Sequence, residues 1–199
     1  MFKKTILTFG LLVSQLSATE HRLIVDIMPG SFLASSDLNG LTNTSSGNFR
    51  VEESIEGSTS LNPNISIGYG LDLTSPVSID LSVGTGALLN GAFDTTYTQT
   101  ELTVYGTSES KRFMIGPFFR VMNFSESDWT TDNLSMSSTS GYAYGIAMMI
   151  GGEKFKFKMK LSQLTNTDIQ LQGQNGYSPS SSNISLDGTM LELGMGLRF

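Results

Sequence analysis

The sequence has 199 residues, with 12 Lys and Arg against 18 Asp and Glu, one His and no Cys. That length fits one domain, or at most two small ones. The absence of cysteine excludes a disulfide scaffold, a thiolate zinc site and a cysteine nucleophile. The acidic balance argues against a nucleic-acid partner, whose affinity rests on basic side chains. With 39% hydrophobic residues, the chain is also too polar for a helical membrane protein.

The N-terminal stretch Met1–Ala18 has the parts of a secretory signal peptide. Lys3 and Lys4 form the basic start, Thr5–Leu16 is the apolar stretch, and small residues at its end suit cleavage. An apolar stretch this short does not comfortably cross a bilayer as a helix, which needs about 20 residues. An uncleaved N-terminal anchor is the alternative. We expect a cleaved leader followed by a single domain over residues 19–199.

Apolar and polar residues alternate with a period of two along most of that domain. In Ile65–Leu73 every odd-numbered residue is apolar and the even-numbered ones are Ser, Gly or Asp, and Val77–Leu89 repeats the pattern. This period is typical of half-buried β-strands. Similar runs lie at Leu23–Leu33, Phe113–Val121, Tyr142–Ile150, Phe155–Leu161 and Leu191–Phe199.

The connections between these runs alternate in length. Thr74–Pro76 and Gly151–Lys154 are short, whereas Ser35–Asn62, Ser125–Ser140 and Asn166–Asn183 are long and rich in Ser, Thr and Asn. Strands of about 10 residues joined alternately by short and long connections are typical of transmembrane β-barrels, with short periplasmic turns and longer extracellular loops.

A secreted β-sandwich or a soluble barrel would also alternate, so the composition of the second face matters. That face is mostly Gly, Ala and Ser with a few charges, whereas the wet face of a sandwich carries many Lys, Glu and Thr residues. Small side chains suit the crowded lumen of a narrow barrel. The pattern therefore favours the membrane barrel.

The last predicted strand places apolar residues on one face and ends on an aromatic residue. The face consists of Leu191, Leu193, Met195, Leu197 and Phe199. In this feature, with the leader and the alternation, the chain resembles the outer-membrane β-barrel proteins of Gram-negative bacteria, and most of all the small OmpA-type membrane domains and the OmpX and OmpW types. The resemblance implies location in the cell outer membrane, contact with its lipid and lipopolysaccharide, and recognition of the C-terminal strand by the barrel assembly machinery.

The strand number of such a barrel is even because both ends lie in the periplasm. Seven clear runs therefore require an eighth, which we assign to Thr95–Gly106, followed by a short turn at Thr107–Lys111. Its outward face is poorly apolar, and Glu101 on the other face is acceptable only in the lumen. The prediction is an all-β chain forming an eight-stranded antiparallel transmembrane barrel.

A lysine column is predicted to face the lumen, because Lys156, Lys158 and Lys160 alternate with apolar residues that would face lipid. Acids on inward faces are the expected partners, and Asp80 is expected to meet Lys156 or Lys158 across the barrel axis. The remaining predicted lumen charges are the acids Asp26, Asp72, Glu101 and Glu192, which include the expected partners of the other lysines, and Arg120, with Arg112 and Arg198 as further cations.

Two interpretations of these charges stay open. In the first, the charges neutralise one another and plug a lumen that is only wide enough for side chains. In the second, the charges line a pore for ions or small solutes. Outward aromatic residues are expected at the lipid face or its interfaces, and Trp129 is either a loop-packing residue or a binding anchor. The aromatic set is Phe119, Tyr142, Tyr144, Phe157 and Phe199.

The residues offer little for catalysis. Resemblance to the small outer-membrane barrels that are enzymes would imply a catalytic histidine near the outer surface. The single histidine of this chain, His21, lies instead at the start of the first predicted strand, at the periplasmic end. Glu52 and Glu53 are adjacent in a loop and fit an ordinary solvated segment. We predict no catalytic residue, cofactor or metal.

Two functions from different classes are therefore compared. The first is a non-enzymatic outer-membrane barrel, structural or porin-like, with a narrow charged lumen that passes small solutes at most. The second is a surface-interaction protein, an adhesin or receptor that uses its Ser/Thr/Asn-rich loops. The sequence identifies no extracellular partner.

Overall fold

A computed structural model describes residues 18–35, 37, 42–45, 52–54, 59–73, 76–90, 94–128 and 134–199. Residues 1–17 of the predicted leader, Trp129 and most of the predicted turn at Thr74–Pro76 lie outside the described residues. Of Glu52 and Glu53 only the backbone is described. Within these residues no helix is long and apolar enough to cross a membrane.

The described residues form eight long strands that close into an antiparallel barrel. Each strand pairs with its neighbour along the chain, and the first pairs with the last, for example Val25 with Leu197. This confirms the predicted eight-stranded fold. The strands are β1 (Ala18–Ser35), β2 (Asn64–Leu73), β3 (Val77–Leu89), β4 (Asp94–Thr107), β5 (Phe113–Phe124), β6 (Thr139–Gly151), β7 (Phe155–Thr165) and β8 (Gly188–Arg198).

Strand β4 contains the least apolar of the predicted runs, Thr95–Gly106. Its threonines Thr96, Thr98 and Thr100 face outward and are exposed, whereas Tyr97 and Glu101 are buried. Threonine is β-branched and favours strands even without an apolar side chain. The even strand number predicted this element, and the strand propensity of threonine explains why it forms.

Connections of different length lie at the two ends of the barrel. At one end, here called the turn end, residues 74–76, 108–112 and 152–154 join the strands. At the other, the loop end, residues 36–63, 125–138 and 166–187 form long connections, and residues 90–93 form a short one. The predicted asymmetry is confirmed, with one short connection among the long ones.

The long connections contain short strands of their own, which the sequence did not predict. Alternating apolar residues such as Ile169 and Leu171 explain one of them, because these side chains are buried under the loops. Ser127–Asp128, Leu134–Met136, Asp168–Gly173 and Asn183–Ser185 form a four-stranded sheet; Thr42–Ser45, Glu52–Ser54 and Tyr177–Pro179 form a three-stranded sheet; and Thr59–Leu61 joins the barrel beside β1.

An apolar belt surrounds the barrel toward the turn end. Its side chains are large, hydrophobic and exposed, and no Asp, Glu, Lys or Arg interrupts them among the described outward positions of the belt. Along β8 and the residue that follows it, the belt runs from Leu191 to Phe199, which corresponds to about 20 Å along the axis at roughly 3.3 Å per residue and about 40° tilt. That height approaches the apolar band of about 25 Å in outer-membrane barrels.

The polarity of the barrel inverts toward the loop end. There the outward residues are polar, among them Thr98, Asn123 and Thr189. The lumen at this level contains an apolar cap, a buried cluster of 14 residues. Below the cap, behind the apolar belt, the lumen contains charged residues together with a smaller buried apolar cluster that includes Tyr105, Met114 and Met149. The cap consists of Leu33, Leu88, Tyr97, Met122, Phe124, Leu134, Met136, Ala143, Leu164, Ile169, Leu171, Ile184, Leu186 and Met190.

Candidate functional site

The nine charged residues predicted for the lumen point into the barrel. Strand alternation explains this, because each lies between two outward neighbours, which are both apolar except beside Glu101, where one of them is Thr100. None is more than 5% exposed. The structure therefore brings all of them into one interior column: Asp26, Asp72, Asp80, Glu101, Arg120, Lys156, Lys158, Lys160 and Glu192.

The upper layer of this column is organised by Arg120. Its guanidinium donates to Glu101 at 2.7 and 2.9 Å and to Glu192 at 2.9 and 3.1 Å, so one cation joins two acids. Lys160 donates to both carboxylate oxygens of Glu101 at 2.7 and 2.8 Å, and Asn64 donates to Glu192 at 2.8 Å. Charge-assisted hydrogen bonds of this kind compensate the loss of water around buried charges.

The middle layer is organised by Asp26 on β1. Its carboxylate accepts from Lys158 at 2.5 Å and from Arg198 at 2.8 Å. Arg198 also reaches Asp80 at 3.4 Å. Because β1 and β8 are neighbours at the closure of the barrel, this layer also ties the first strand to the last.

The lower layer contains Arg22, a lumen cation that the sequence reasoning missed. Arg22 pairs with Asp72 and, at 2.7 Å, with Asp80. Lys111, from the turn at 108–112, joins Asp72 at 3.0 Å. The signal for Arg22 was present in the sequence, because it has the same parity as Asp26. Starting the strand at Leu23 left it out.

The structure corrects the expected pairings of the lysine column. Asp80 meets neither Lys156 nor Lys158, and it pairs with Arg22 and Arg198 instead. Lys158 pairs with Asp26, and Lys160 with Glu101. Strand tilt is the physical reason, because residues at equal distance from a strand end do not lie at equal height in a barrel.

Two further cations differ from expectation in other ways. Lys156 forms no ion pair with a carboxylate of the described residues, and its ammonium donates to the backbone carbonyl of Lys111. Arg112 is exposed in the turn at 108–112 and not in the lumen. The turn includes Arg112, because the next strand starts only at Phe113. The alternation of inward and outward residues in a strand therefore does not apply to Arg112.

The loop end of the site is fixed by Asp187, which precedes β8. Its carboxylate accepts from the Thr167 amide at 2.9 Å and from the Thr167 hydroxyl at 2.6 Å. Burial alone would raise the pKa of Asp187, but these hydrogen bonds outweigh it and lower the pKa below the usual range. Asp187 thereby joins the two ends of the 166–187 connection where it leaves β7 and enters β8.

The outward aromatic residues lie on the surface of the barrel. Tyr144 and Phe199 are among the most exposed large side chains, and Phe119 stacks on Tyr142 with ring centroids 6.0 Å apart. The predicted assembly face, Leu191, Leu193, Met195, Leu197 and Phe199, also points outward, while the residues between them point inward. In the described residues, no group of three or more His, Cys, Asp or Glu side chains is placed to hold a metal.

Comparison with known proteins gives a likeness of fold alone. No family model and no curated protein matches the sequence. The crystal structure of the outer membrane protein OprG from Pseudomonas aeruginosa matches with a TM-score of 0.56 at 11% identity, covering 92% of this chain and 97% of that one. Neisserial surface protein A matches over the same shares at 10% identity and a TM-score of 0.45. The OprG match agrees with the eight-stranded barrel.

Proposed function

We propose that this protein is an integral outer-membrane barrel whose lumen is closed, and that its role is structural and non-enzymatic. The observation that carries the proposal is the inversion of polarity along the barrel. Behind the apolar belt the interior is charged, and beyond the belt the outside is polar and the interior apolar. In a soluble protein charged side chains are rarely buried and large apolar patches are rarely exposed, so a lumen that contains many charges behind an apolar exterior fits lipid at the level of the belt.

The plug interpretation of the lumen charges is the one we favour. An eight-stranded barrel has an interior just wide enough for side chains. Arg120, Lys158 and Lys160 are each at most 2% exposed and each is held by carboxylates at 3.1 Å or less. The apolar cap lies above them, and hydrated ions do not cross a packed hydrophobic layer without dewetting costs. Porin-like passage of solutes would require both layers to open.

The alternative function, recognition of a surface partner, keeps one supporting observation. The long connections form a four-stranded and a three-stranded sheet beyond the barrel rim, and an ordered platform of this kind suits binding better than a flexible loop. Their surface is rich in Ser, Thr and Asn, which offers few of the aromatic and Arg anchors that dominate interfaces. We therefore rank this function second.

The proposal includes three steps before insertion. The chain is exported with the leader Met1–Ala18, the leader is cleaved, and the barrel assembly machinery recognises the C-terminal strand. They account for how a chain with this belt would reach the outer membrane. Contact with outer-membrane lipid and lipopolysaccharide would then follow from the position of the belt.

A charge scan of the outer surface tests the membrane-spanning proposal. Leu81 is 53% exposed within the belt, whereas Thr98 is outward above it. If the belt faces lipid, Leu81→Arg should cost roughly 2–4 kcal/mol in unfolding from vesicles, and Thr98→Arg about 0–1 kcal/mol. Urea unfolding of both variants in lipid vesicles, with fractionation of cell membranes, gives the comparison. Equal stability of the two variants would contradict the proposal.

A further inference from the structure

A cavity of about 550 Å³ opens at the turn end of the barrel, below the ion-pair layers. Its inner wall contains the strand residues Arg22, Lys156 and Arg198, and its rim contains residues of the turns at 108–112 and 152–154. None of the functions discussed above uses this cavity.

Lys156 is the unusual residue of this cavity. It is 3% exposed, yet its ammonium has one backbone carbonyl as acceptor and forms no ion pair with a carboxylate of the described residues. Every other buried Lys or Arg in the described lumen is paired with at least one carboxylate. A buried ammonium without an opposite charge is costly, so this position calls for an anion.

Two more donors at the same wall lack an acceptor. The Nε atoms of Arg22 and Arg198 are buried and form no hydrogen bond with the described residues. The lower-layer acid Asp72 is already engaged by Arg22 and Lys111. Because these two atoms are shielded from solvent, the guanidinium groups contribute positive charge beside Lys156 rather than a direct contact through Nε. An oxyanion in the cavity would balance that charge and supply acceptors to the Lys156 ammonium.

We propose that this cavity binds a small phosphate-bearing anion, with Lys156 as the principal cation. A phosphate group offers several oxygens to the cationic wall that Arg22, Lys156 and Arg198 form on three strands. The rim carries charges of both signs, among them Glu109, Glu153 and Lys154, so the selection of an anion rests on the inner wall. Free phosphate and the headgroup of an anionic phospholipid share this chemistry.

The test uses the refolded full chain in an uncharged maltoside detergent. Inorganic phosphate is titrated calorimetrically at constant ionic strength, with chloride as the non-specific control. Lys156→Met should weaken phosphate binding about tenfold or more, the effect of losing one charge-assisted contact. Lys156→Arg should retain binding. Arg112→Met is the matched control, because it removes one exposed cation of a neighbouring turn that does not line the cavity.

A second arm separates the two sources of phosphate. The thermal midpoint is compared in vesicles of zwitterionic lipid alone and of zwitterionic with anionic phospholipid. Stabilisation that depends on Lys156 and on anionic lipid, without binding of free phosphate, assigns the site to a headgroup. Saturable binding of inorganic phosphate that Lys156→Met abolishes assigns it to the free anion.

The wild-type protein alone can overturn the proposal, so a variant that fails to refold does not block the test. Absence of both a phosphate signal and an effect of anionic lipid would show that water alone solvates Lys156. An equal response to chloride and phosphate, or equal effects of Lys156→Met and Arg112→Met, would also contradict the site.

Discussion

Inward glycines make room for the ion pairs at the level of single residues. A Cβ added to Gly196 would lie 2.7 Å from an Asp26 carboxylate oxygen and 2.9 Å from the Arg198 guanidinium. At Gly70 the same atom would lie 2.6 Å from Arg22. The glycines that weaken strand propensity therefore serve close approach of charged side chains to the barrel wall.

Gly196→Ala should consequently destabilise the barrel. The added methyl displaces the Asp26–Arg198 pair, and overpacking of this kind typically costs about 1–3 kcal/mol. Gly106→Ala is the matched control, because its nearest neighbouring atom is 3.6 Å from the added Cβ. Urea unfolding in vesicles should show a lower midpoint for the first variant only. Identical midpoints would mean that the interior has free space at Gly196.

Lys158→Met should strand Asp26 inside the barrel, with Arg198 as its remaining partner. Breaking a buried ion pair from one side costs on the order of 3–5 kcal/mol, and less where a second cation stays. The double variant Lys158→Met with Asp26→Asn should recover part of that loss. Unfolding midpoints of the two single variants and the double variant measure the coupling. Additive losses without recovery would show that the pair is solvated.

At the scale of elements, the C-terminal strand combines three features on one short segment. Its outward face is apolar, its inward residues Glu192 and Arg198 belong to two charge layers, and it closes the barrel against β1. The amide and carbonyl of Phe199 pair with those of Leu23, at 3.0 and 2.9 Å. Loss of the Phe199 side chain removes none of these backbone bonds.

Phe199→Ala should therefore affect assembly more than stability. We expect less folded protein in the outer membrane while export across the inner membrane continues. Phe155→Ala is the control, because Phe155 is also an exposed aromatic residue, 51% against 66% for Phe199, on neighbouring β7. Heat-modifiability on gels and fractionation of membranes measure the folded share. Equal yields of the two variants would contradict recognition of the terminal residue.

Sequence periodicity predicted the elements of the barrel well, because a period of two fixes which residues face each side. It indicated nine of the charged residues that face the lumen, but not Arg22, and it indicated the weak strand β4. It did not predict which charged residues form ion pairs. Lys158 pairs with Asp26 because neighbouring strands are shifted relative to one another, and the sequence of one strand does not determine that shift. The short strands of the loops were missed for a related reason: their pairing is between distant segments, such as Leu134–Met136 with Asp168–Gly173.

At the scale of the whole molecule, three stacked regions of the interior support the proposed closed lumen. A cavity lies at the turn end, ion pairs with a small apolar cluster lie at the level of the belt, and the apolar cap lies at the loop end. The two upper regions block ions for different reasons. The ion pairs leave no room for water, and the cap offers no polar groups that could replace an ion's hydration shell. A conducting path would have to cross both.

Conductance of the refolded wild-type protein in planar bilayers tests this account most directly. The closed lumen predicts no stepwise current above that of protein-free bilayers, in a preparation whose folding is confirmed by heat-modifiability. Stable steps whose ion selectivity shifts toward cations in Lys160→Met would contradict it, because that result requires Lys160 to line a water-filled path.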